Sequence, residues 1–320
     1  MNKRTVEALV KAGAFDSLQR NRAALLASID RAFDFAAACE ANANQGGLFD
    51  ALDGDAHGAS TQEPELVDAM PWDVREQLTA EKTAVGFYLS GHLFDAVERE
   101  VRRFVRRRIA EVAESAPREG REGRGNAEPV LLAGIVSDLR VINGQRGRLA
   151  LFKLDDKSAV IDARLDEALL EAHRSVLRDD ELIIVQGRAL PDRFSGGMML
   201  SVQQLWDLPA ARCRFGKYLR VAVNGTVPRV HELLAEFPPR REVLDDGEER
   251  LRGLPLRLRV ERHVGADAPP VDDTEPCASG LRGVRFELAL NDAARTYPSD
   301  AALAHWSAQA AEGLAEVVYE

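Results

Sequence analysis

The chain has 320 residues, 45% of them hydrophobic, and a formal net charge of −10. This length and composition predict two or three domains with sizeable cores. There is no run of about 18 apolar residues and no signal-peptide core, so we expect neither a membrane-spanning nor a secreted protein. The negative charge argues against a protein that binds nucleic acid by bulk electrostatics, since such proteins show a basic face.

The cysteines Cys39, Cys213 and Cys277 lie far apart, without a Cys-x-x-Cys pair or a neighbouring histidine. This spacing predicts reduced thiols in a cytoplasmic protein. The lone histidine His92 belongs to no recognisable catalytic pattern, so we expect it to have a structural role. We therefore expect no catalytic residue, no metal site and no cofactor in this chain.

The first segment, residues 1–42, is predicted to be helical. Residues 5–12 read as a helix that Gly13 ends, and Asn21 is a suitable N-cap for a longer helix to about Ala41. A helix–glycine turn–helix unit can present backbone N–H groups to a phosphate. The second glycine of a helix-hairpin-helix turn is missing after Gly13, so plain helix packing is the interpretation we favour.

An acidic linker is predicted over residues 43–70. Residues 41–80 hold eight acids against one arginine, and little apolar periodicity returns before Trp72. Such a segment buries too little surface to order itself. Within it, Gln45-Gly46-Gly47-Leu48-Phe49 places two large apolar side chains where a partner protein could bury them. The alternative is that Leu48 and Phe49 fold back onto the preceding helix.

A helical segment is predicted over residues 71–116, with helices near Asp73–Val85 and over Asp95–Ala113. The second of these carries arginines from Arg99 to Arg108, interleaved with apolar residues. A solvated basic face is the favoured interpretation, and a face that follows phosphates is the alternative. Residues 117–128 form a glycine-rich, charged linker.

Residues 129–208 change to a period of two, which predicts a five-stranded OB-fold barrel. The expected strands and the helix between the third and fourth are Leu131–Ile142, Leu149–Leu154, Val160–Leu165, Asp166–Leu177, Glu181–Leu190 and Met198–Leu205. Candidate contacts to single-stranded DNA are Arg146, Arg148, Lys153, Arg164, Arg193 and Phe194. Phe152 is expected in the barrel core. Asp155-Asp156 reads as a solvated turn rather than a metal site.

Residues 209–320 predict an α+β domain in the order βαββαβ, which fits a ferredoxin-like split unit. This domain shows no nucleophile–base pair, metal cluster or phosphate loop, so protein–protein contact is its expected role. The terminal segment Val317-Val318-Tyr319-Glu320 is apolar. It could receive a partner at a sheet edge or merely complete the domain's own sheet.

Together these parts resemble the C-terminal third of the alpha subunit of bacterial DNA polymerase III, the C-family replicative polymerase. The resemblance is carried by Leu9-Val-Lys-Ala-Gly-Ala-Phe-Asp16, Gln45–Phe49, Gly86-Phe-Tyr-Leu-Ser-Gly-His92, Leu154-Asp-Asp-Lys-Ser158 and Phe194-Ser-Gly-Gly197. It implies a multidomain α+β protein in which residues 1–42 end a tandem helix-hairpin-helix region.

By the same resemblance, Gln45, Gly46, Gly47, Leu48 and Phe49 form the motif that binds the sliding clamp. The barrel would approach single-stranded template, residues 209–320 would bind the tau subunit of the clamp loader, and the chain would adjoin the rest of the polymerase. The catalytic aspartates of the palm have no counterpart here. A standalone single-strand-binding or repair protein is the alternative, which predicts more exposed aromatic residues and a basic groove.

Overall fold

A computed structural model describes residues 2–44, 63–114, 128–144, 147–192, 196–223, 229–243, 249–264, 282–291 and 293–319. Two compact units divide the chain, residues 1–95 and residues 96–320. The division falls inside the predicted helical segment 71–116. Over the described ranges, no helix combines the length and the apolar character needed to cross a membrane.

The first unit contains three helices: α1 (Lys3–Lys11), α2 (Arg22–Asn44) and α3 (Val74–Val85). The predicted N-cap of α2 is confirmed, because the Asn21 side chain accepts a hydrogen bond from the Ala24 N–H at 3.1 Å. Asp73 and Glu76 begin α3 with a reciprocal capping box. These helices match the predicted ones closely.

The predicted mobile linker is wrong for its last residues. The Asn21 side-chain amide donates to the Ala69 carbonyl at 2.7 Å, and the Val67 N–H donates to the Ser28 hydroxyl at 2.8 Å. These bonds tie residues 67–69 to α2, which periodicity could not reveal because the segment has no regular structure of its own. The motif Gln45–Phe49 lies outside the described residues.

The single predicted helix Asp95–Ala113 is also wrong. It is replaced by α4 (Asp95–Val101) and α5 (Ile109–Glu114), with non-helical residues between them. Phe104 lies in this break and stacks on Phe215 and Tyr319, with ring centroids 5.2 and 5.0 Å away. Burial of the apolar residues in and after the break takes precedence over a continuous arginine face, since Val105 and Ile109 are fully buried.

The barrel strands and their helix lie close to where the alternation predicts them. They are β1 (Val130–Gly144), β2 (Gly147–Asp155), β3 (Val160–Leu165), α6 (Glu167–Ala172), β4 (Leu182–Pro191) and β5 (Met198–Trp206). The strands close on themselves in the order β1-β2-β3-β5-β4, with β3 and β5 parallel. This is the OB-fold arrangement. Phe152 is 2% exposed in the core, as expected.

The C-terminal region begins with a helix that the sequence pattern did not predict, α7 (Leu208–Phe215). It continues with β6 (Gly216–Val223), α8 (Val230–Glu236), β7 (Arg240–Val243), β8 (Glu249–Arg252), β9 (Leu254–Val264), β10 (Arg282–Ala289), β11 (Arg295–Thr296), α9 (Asp300–Gln309) and β12 (Ala315–Tyr319). The main sheet has the order β10-β9-β6-β12, and β7 pairs only with β8 among the described strands. Trp306 on α9 and Leu256 on β9 are fully buried in the core of this region.

The α+β class is confirmed, but the ferredoxin-like arrangement is wrong. A split βαβ unit has another strand between its two parallel strands. Here β6 and β9 are direct parallel neighbours, with Val221 opposite Leu258. The linear order of elements could not distinguish the two arrangements, because the same order is compatible with β10 either between β6 and β9 or outside them.

Candidate nucleic-acid interface

The outward face of β2 and β3 follows from the alternation of their side chains. Inward positions such as Leu154 and Ile161 fill the core, so the positions between them face outward. Lys153 and Arg164 are both exposed on this face. In the register, Lys153 lies opposite Asp162 and Leu151 lies opposite Arg164. The two predicted basic residues are therefore diagonal neighbours.

A row of basic side chains extends this face across neighbouring strands. Arg164 is opposite Ser201 on β5, and Ser201 is opposite Arg188 on β4. On the other side, Leu151 is opposite Arg140 on β1. Arg140, Arg164 and Arg188 are exposed and have no ion pair within the described ranges. We name Arg140, Arg164 and Arg188 the barrel-face arginines.

Sequence reasoning missed Arg140 and Arg188. Their signal was the same as that of Arg164, namely a basic residue at an outward position of a barrel strand. The pairing of β5 with both β3 and β4 brings Arg188 two strands from Arg164, about 10 Å across the sheet. That neighbourhood depends on the strand order, which alternation alone does not determine.

The other described candidates are already engaged with carboxylates. Arg148 contacts Glu167 at 2.9 Å and Glu171 at 2.5 Å. Lys153 donates to Asp138 at 2.8 Å, and this hydrogen bond raises the pKa of the lysine. Each pair neutralises its cation locally, so the barrel-face arginines hold the charge available to a phosphate. The predicted contacts Arg146, Arg193 and Phe194 lie outside the described residues.

The predicted solvated turn at Asp155-Asp156 is wrong for Asp156, which is 1% exposed. Its carboxylate accepts from Arg102 at 2.8 Å, from the Ile109 N–H at 3.0 Å and from Ser158. Burial opposes ionisation, yet these bonds outweigh it and lower the pKa of Asp156. The residue anchors the segment before the barrel, and no group of three or more possible metal ligands occurs among the described residues.

The geometry defines a mixed α+β protein with an OB-fold barrel that presents a row of arginines. Compared with known proteins, the chain is 36% identical over 225 residues to DNA polymerase III subunit alpha of Neisseria meningitidis serogroup A, covering 70% of this chain and 18% of that protein. It is 30% identical to the Pseudomonas fluorescens subunit, covering 94% of this chain and 24% of that protein. The chain is thus homologous to DNA polymerase III alpha subunits. It spans about a fifth of their length, consistent with a C-terminal portion.

No protein-family model matches the sequence. Among solved structures, a small single-stranded DNA-binding protein from Streptomyces coelicolor is 14% identical, with a TM-score of 0.23, over 26% of this chain and 94% of that one. Similarity at this level does not identify a function.

Proposed function

We propose that this chain is the C-terminal, non-catalytic region of the alpha subunit of a bacterial DNA polymerase III. The observation that carries the proposal is the 30–36% identity to subunits of that name over 70–94% of the chain. In this proposal the polymerase active site belongs to the rest of the subunit, in the bacterial cytoplasm. The chain itself contributes contacts to DNA, to the sliding clamp and to the clamp loader.

The barrel is proposed to bind single-stranded DNA along its outward face. The barrel-face arginines support this, because they are exposed and lack ion pairs in the described part of the chain. Phosphate contacts are independent of sequence and weaken with salt. Because the chain has a net charge of −10, we expect weak binding that relies on this local row rather than on the overall charge.

The peptide Gln45–Phe49 is proposed to bind the sliding clamp. It follows directly after α2, which ends at Asn44. Burial of the Leu48 and Phe49 side chains contributes roughly 1.5–3 kcal/mol each before the cost of ordering the peptide. Gln45 would hydrogen-bond the rim of the clamp pocket.

The C-terminal domain is proposed to bind the tau subunit of the clamp loader. On the outer strand β10, Phe286 and Leu288 remain about half exposed. They continue the apolar row that Leu258 begins, since Leu288 is its register partner. The terminal strand β12 lies at the opposite end of the same sheet order, but its Val317 is buried, so β10 is the edge that presents large apolar side chains.

One set of titrations with the full chain tests these three contacts. For DNA, Arg164→Gln with Arg188→Gln is compared with Arg31→Gln with Arg178→Gln, which removes the same charge from exposed sites. The barrel-face variant should bind fluorescent oligothymidylate about tenfold more weakly, with a salt slope smaller by about 1.4 for two lost contacts. Equal binding by both variants would contradict a DNA-binding barrel face.

In the titrations with protein partners, the double variant Leu48→Ala with Phe49→Ala should nearly abolish clamp binding. The double variant Phe286→Ser with Leu288→Ser should weaken tau binding. Each double variant serves as the control for the other. Clamp binding that survives loss of both apolar side chains rules out the motif. Template-dependent nucleotide incorporation by the purified chain with magnesium would overturn its assignment as non-catalytic.

A further inference from the structure

A cleft of about 810 Å³ lies between the barrel and the C-terminal sheet, within the second unit. It is lined by α6, the end of β5, α7 and the β7–β8 pair, and a smaller cavity adjoins it. No barrel-face arginine lines it, so it is a separate site. Its volume falls within the range of sites for molecules of nucleotide size.

The lining of the two cavities is strongly basic in a chain that is acidic overall. It contains six arginines and three acids, a surplus of three positive charges. The arginines are Arg214, Arg240, Arg241, Arg250, Arg252 and Arg295, and the acids are Asp207, Glu242 and Glu249. Clefts lined by one sign of charge concentrate ligands of the opposite sign.

Several of these groups are already held in place. Arg252 pairs with Glu242, and Arg241 lies 3.7 Å from Glu249. Arg240 stacks over the Tyr297 ring at 3.9 Å. These contacts fix the walls of the cleft and account for two of the three acids.

Arg214 and Arg250 differ from the others. Both line the cleft and are exposed, and neither side chain has a hydrogen bond or ion pair to another described residue. Arg214 belongs to α7 and Arg250 to β8, so they approach the space from two separate elements. A guanidinium fork matches the oxygens of a phosphate group and remains charged at any physiological pH.

The remaining polar groups of the cleft favour binding over chemistry. Burial raises the pKa of the Cys213 thiol to about 11, so it stays protonated and a poor nucleophile. Burial also lowers the pKa of His173. A neutral thiol and a less basic imidazole leave the arginines as the groups that can recognise a ligand.

We infer that this cleft binds the phosphate groups of nucleotides through Arg214 and Arg250. The phosphates could belong to a single strand of DNA or to a free nucleotide, and both present the same oxygens to the guanidinium groups. The strand version of this inference rests on the proposed function, whereas the free-nucleotide version does not.

The test compares three variants of the full chain: Arg214→Gln with Arg250→Gln, the barrel-face pair Arg164→Gln with Arg188→Gln, and the control pair Arg31→Gln with Arg178→Gln. Thermal unfolding checks that each remains folded. Fluorescent oligothymidylate and metal-free thymidine triphosphate are the two nucleotide probes, and polyglutamate is the control anion. The cleft variant should bind at least one nucleotide probe roughly fivefold more weakly than the control does. If oligothymidylate is the ligand, the salt slope of its binding should also fall by about 1.4, because two phosphate contacts are lost.

Loss of oligothymidylate alone identifies a strand as the ligand, and loss of thymidine triphosphate identifies a free nucleotide. The inference is overturned if the cleft variant matches the control with both probes, or if only polyglutamate, an acidic peptide, distinguishes them. A barrel-face effect without a cleft effect leaves the proposed function standing and removes this inference. A cleft effect without a barrel-face effect supports this inference and contradicts the proposal that the barrel face binds DNA.

Discussion

Each of the two units contains a buried arginine that two carboxylates hold in place, at least one of them from a distant part of the chain. In the first unit, Arg22 contacts Asp16 through two bonds and Glu81 through a third. In the second, Arg212 contacts Glu100 through two bonds and Asp300 through a third. The two arginines are 7% and 4% exposed.

The partners of the two arginines differ in burial. The Glu81 side chain is 0% exposed and that of Asp16 is 42% exposed, whereas those of Glu100 and Asp300 are 27% and 79% exposed, so only Arg22 has a fully buried partner. Loss of one partner of a buried pair costs about 3–5 kcal/mol because the other charge stays desolvated, while an exposed pair contributes about 0–1 kcal/mol. The same bonding pattern should therefore stabilise the two units to different degrees.

Glu81 is also held by two backbone donors. Its second oxygen accepts from the N–H groups of Leu89 and Ser90 at 2.7 and 2.9 Å. On the arginine side, Gly13 has φ of +82°, and a Cβ there would lie 2.2 Å from the Arg22 guanidinium. The glycine turn after α1 thus makes room for Arg22, which supports the packing interpretation of that turn.

The largest effect is expected for Glu81→Gln. The glutamine amide has the shape of the carboxylate, but one of its two acceptor oxygens is replaced by an NH₂ donor. That donor would face either Arg22 or the two backbone N–H groups. The free energy of unfolding of the first unit should therefore fall by about 3 kcal/mol. Hydrogen exchange over residues 2–44 and 63–95 measures it. Glu65→Gln, at an exposed site, is the control, and similar losses in both variants would refute the role of burial.

The next effect concerns pH. Burial alone would raise the pKa of Glu81, but the bonds from Arg22, Ser90 and Leu89 lower it to about 2 from an ordinary 4.5. Because the pKa of Glu81 is lower in the folded state than in the unfolded state, ionised Glu81 stabilises the fold fully above pH 4.5. This stabilisation is lost as the pH falls toward 2. The difference corresponds to about 3 kcal/mol.

The first unit should therefore unfold more easily at pH 3 than at pH 5, as hydrogen exchange at the two pH values would show. Glu81→Gln should lack this part of the pH dependence while Glu65→Gln keeps it. If both variants respond to acid as strongly as the parent chain does, other carboxylates, such as Asp16 with its lowered pKa, carry the effect.

The barrel was the most predictable part of the fold, because its strands alternate over most of their length. Phe152 was correctly assigned to its core, and Arg164 to its outward face. The buried partners were not predictable: Arg22 and Glu81 are 59 positions apart, and nothing local marks them as a pair. Asp156 was mistaken for a solvated residue because its partner Arg102 lies 54 positions upstream.

The cleft was missed for the same reason. Its arginines come from α7, β8 and neighbouring segments, and α7 itself was not predicted because its eight residues show little amphipathic periodicity. Three-dimensional proximity of residues on short elements leaves no spacing pattern in the sequence. The barrel-face arginines were predictable only in part. The alternation of the strands indicates that they face outward, but it does not indicate that they are neighbours.

The smallest effect is expected for Asp300→Asn. Asp300 lies 2.6 Å from Arg212 but is mostly exposed, and it also occupies the first turn of α9, where a negative charge is favourable. The asparagine retains an oxygen for Arg212, and Glu100 still neutralises the arginine through two bonds of 2.7 Å. The expected loss in the free energy of unfolding is at most about 1 kcal/mol.

Glu100→Gln provides the matched comparison within the same cluster. Glu100 also accepts a hydrogen bond from the Tyr319 hydroxyl at 2.6 Å. Burial would raise the pKa of Glu100, but the bonds from Arg212 and Tyr319 outweigh it and lower the pKa. Its loss should therefore exceed that of Asp300→Asn and remain below that of Glu81→Gln. Urea unfolding of the second unit, followed by tryptophan fluorescence in a Trp72→Phe background so that the buried Trp206 and Trp306 report, measures both variants. Equal losses at Glu100 and Asp300 would mean that burial of the partner does not decide how strongly a buried arginine stabilises its unit.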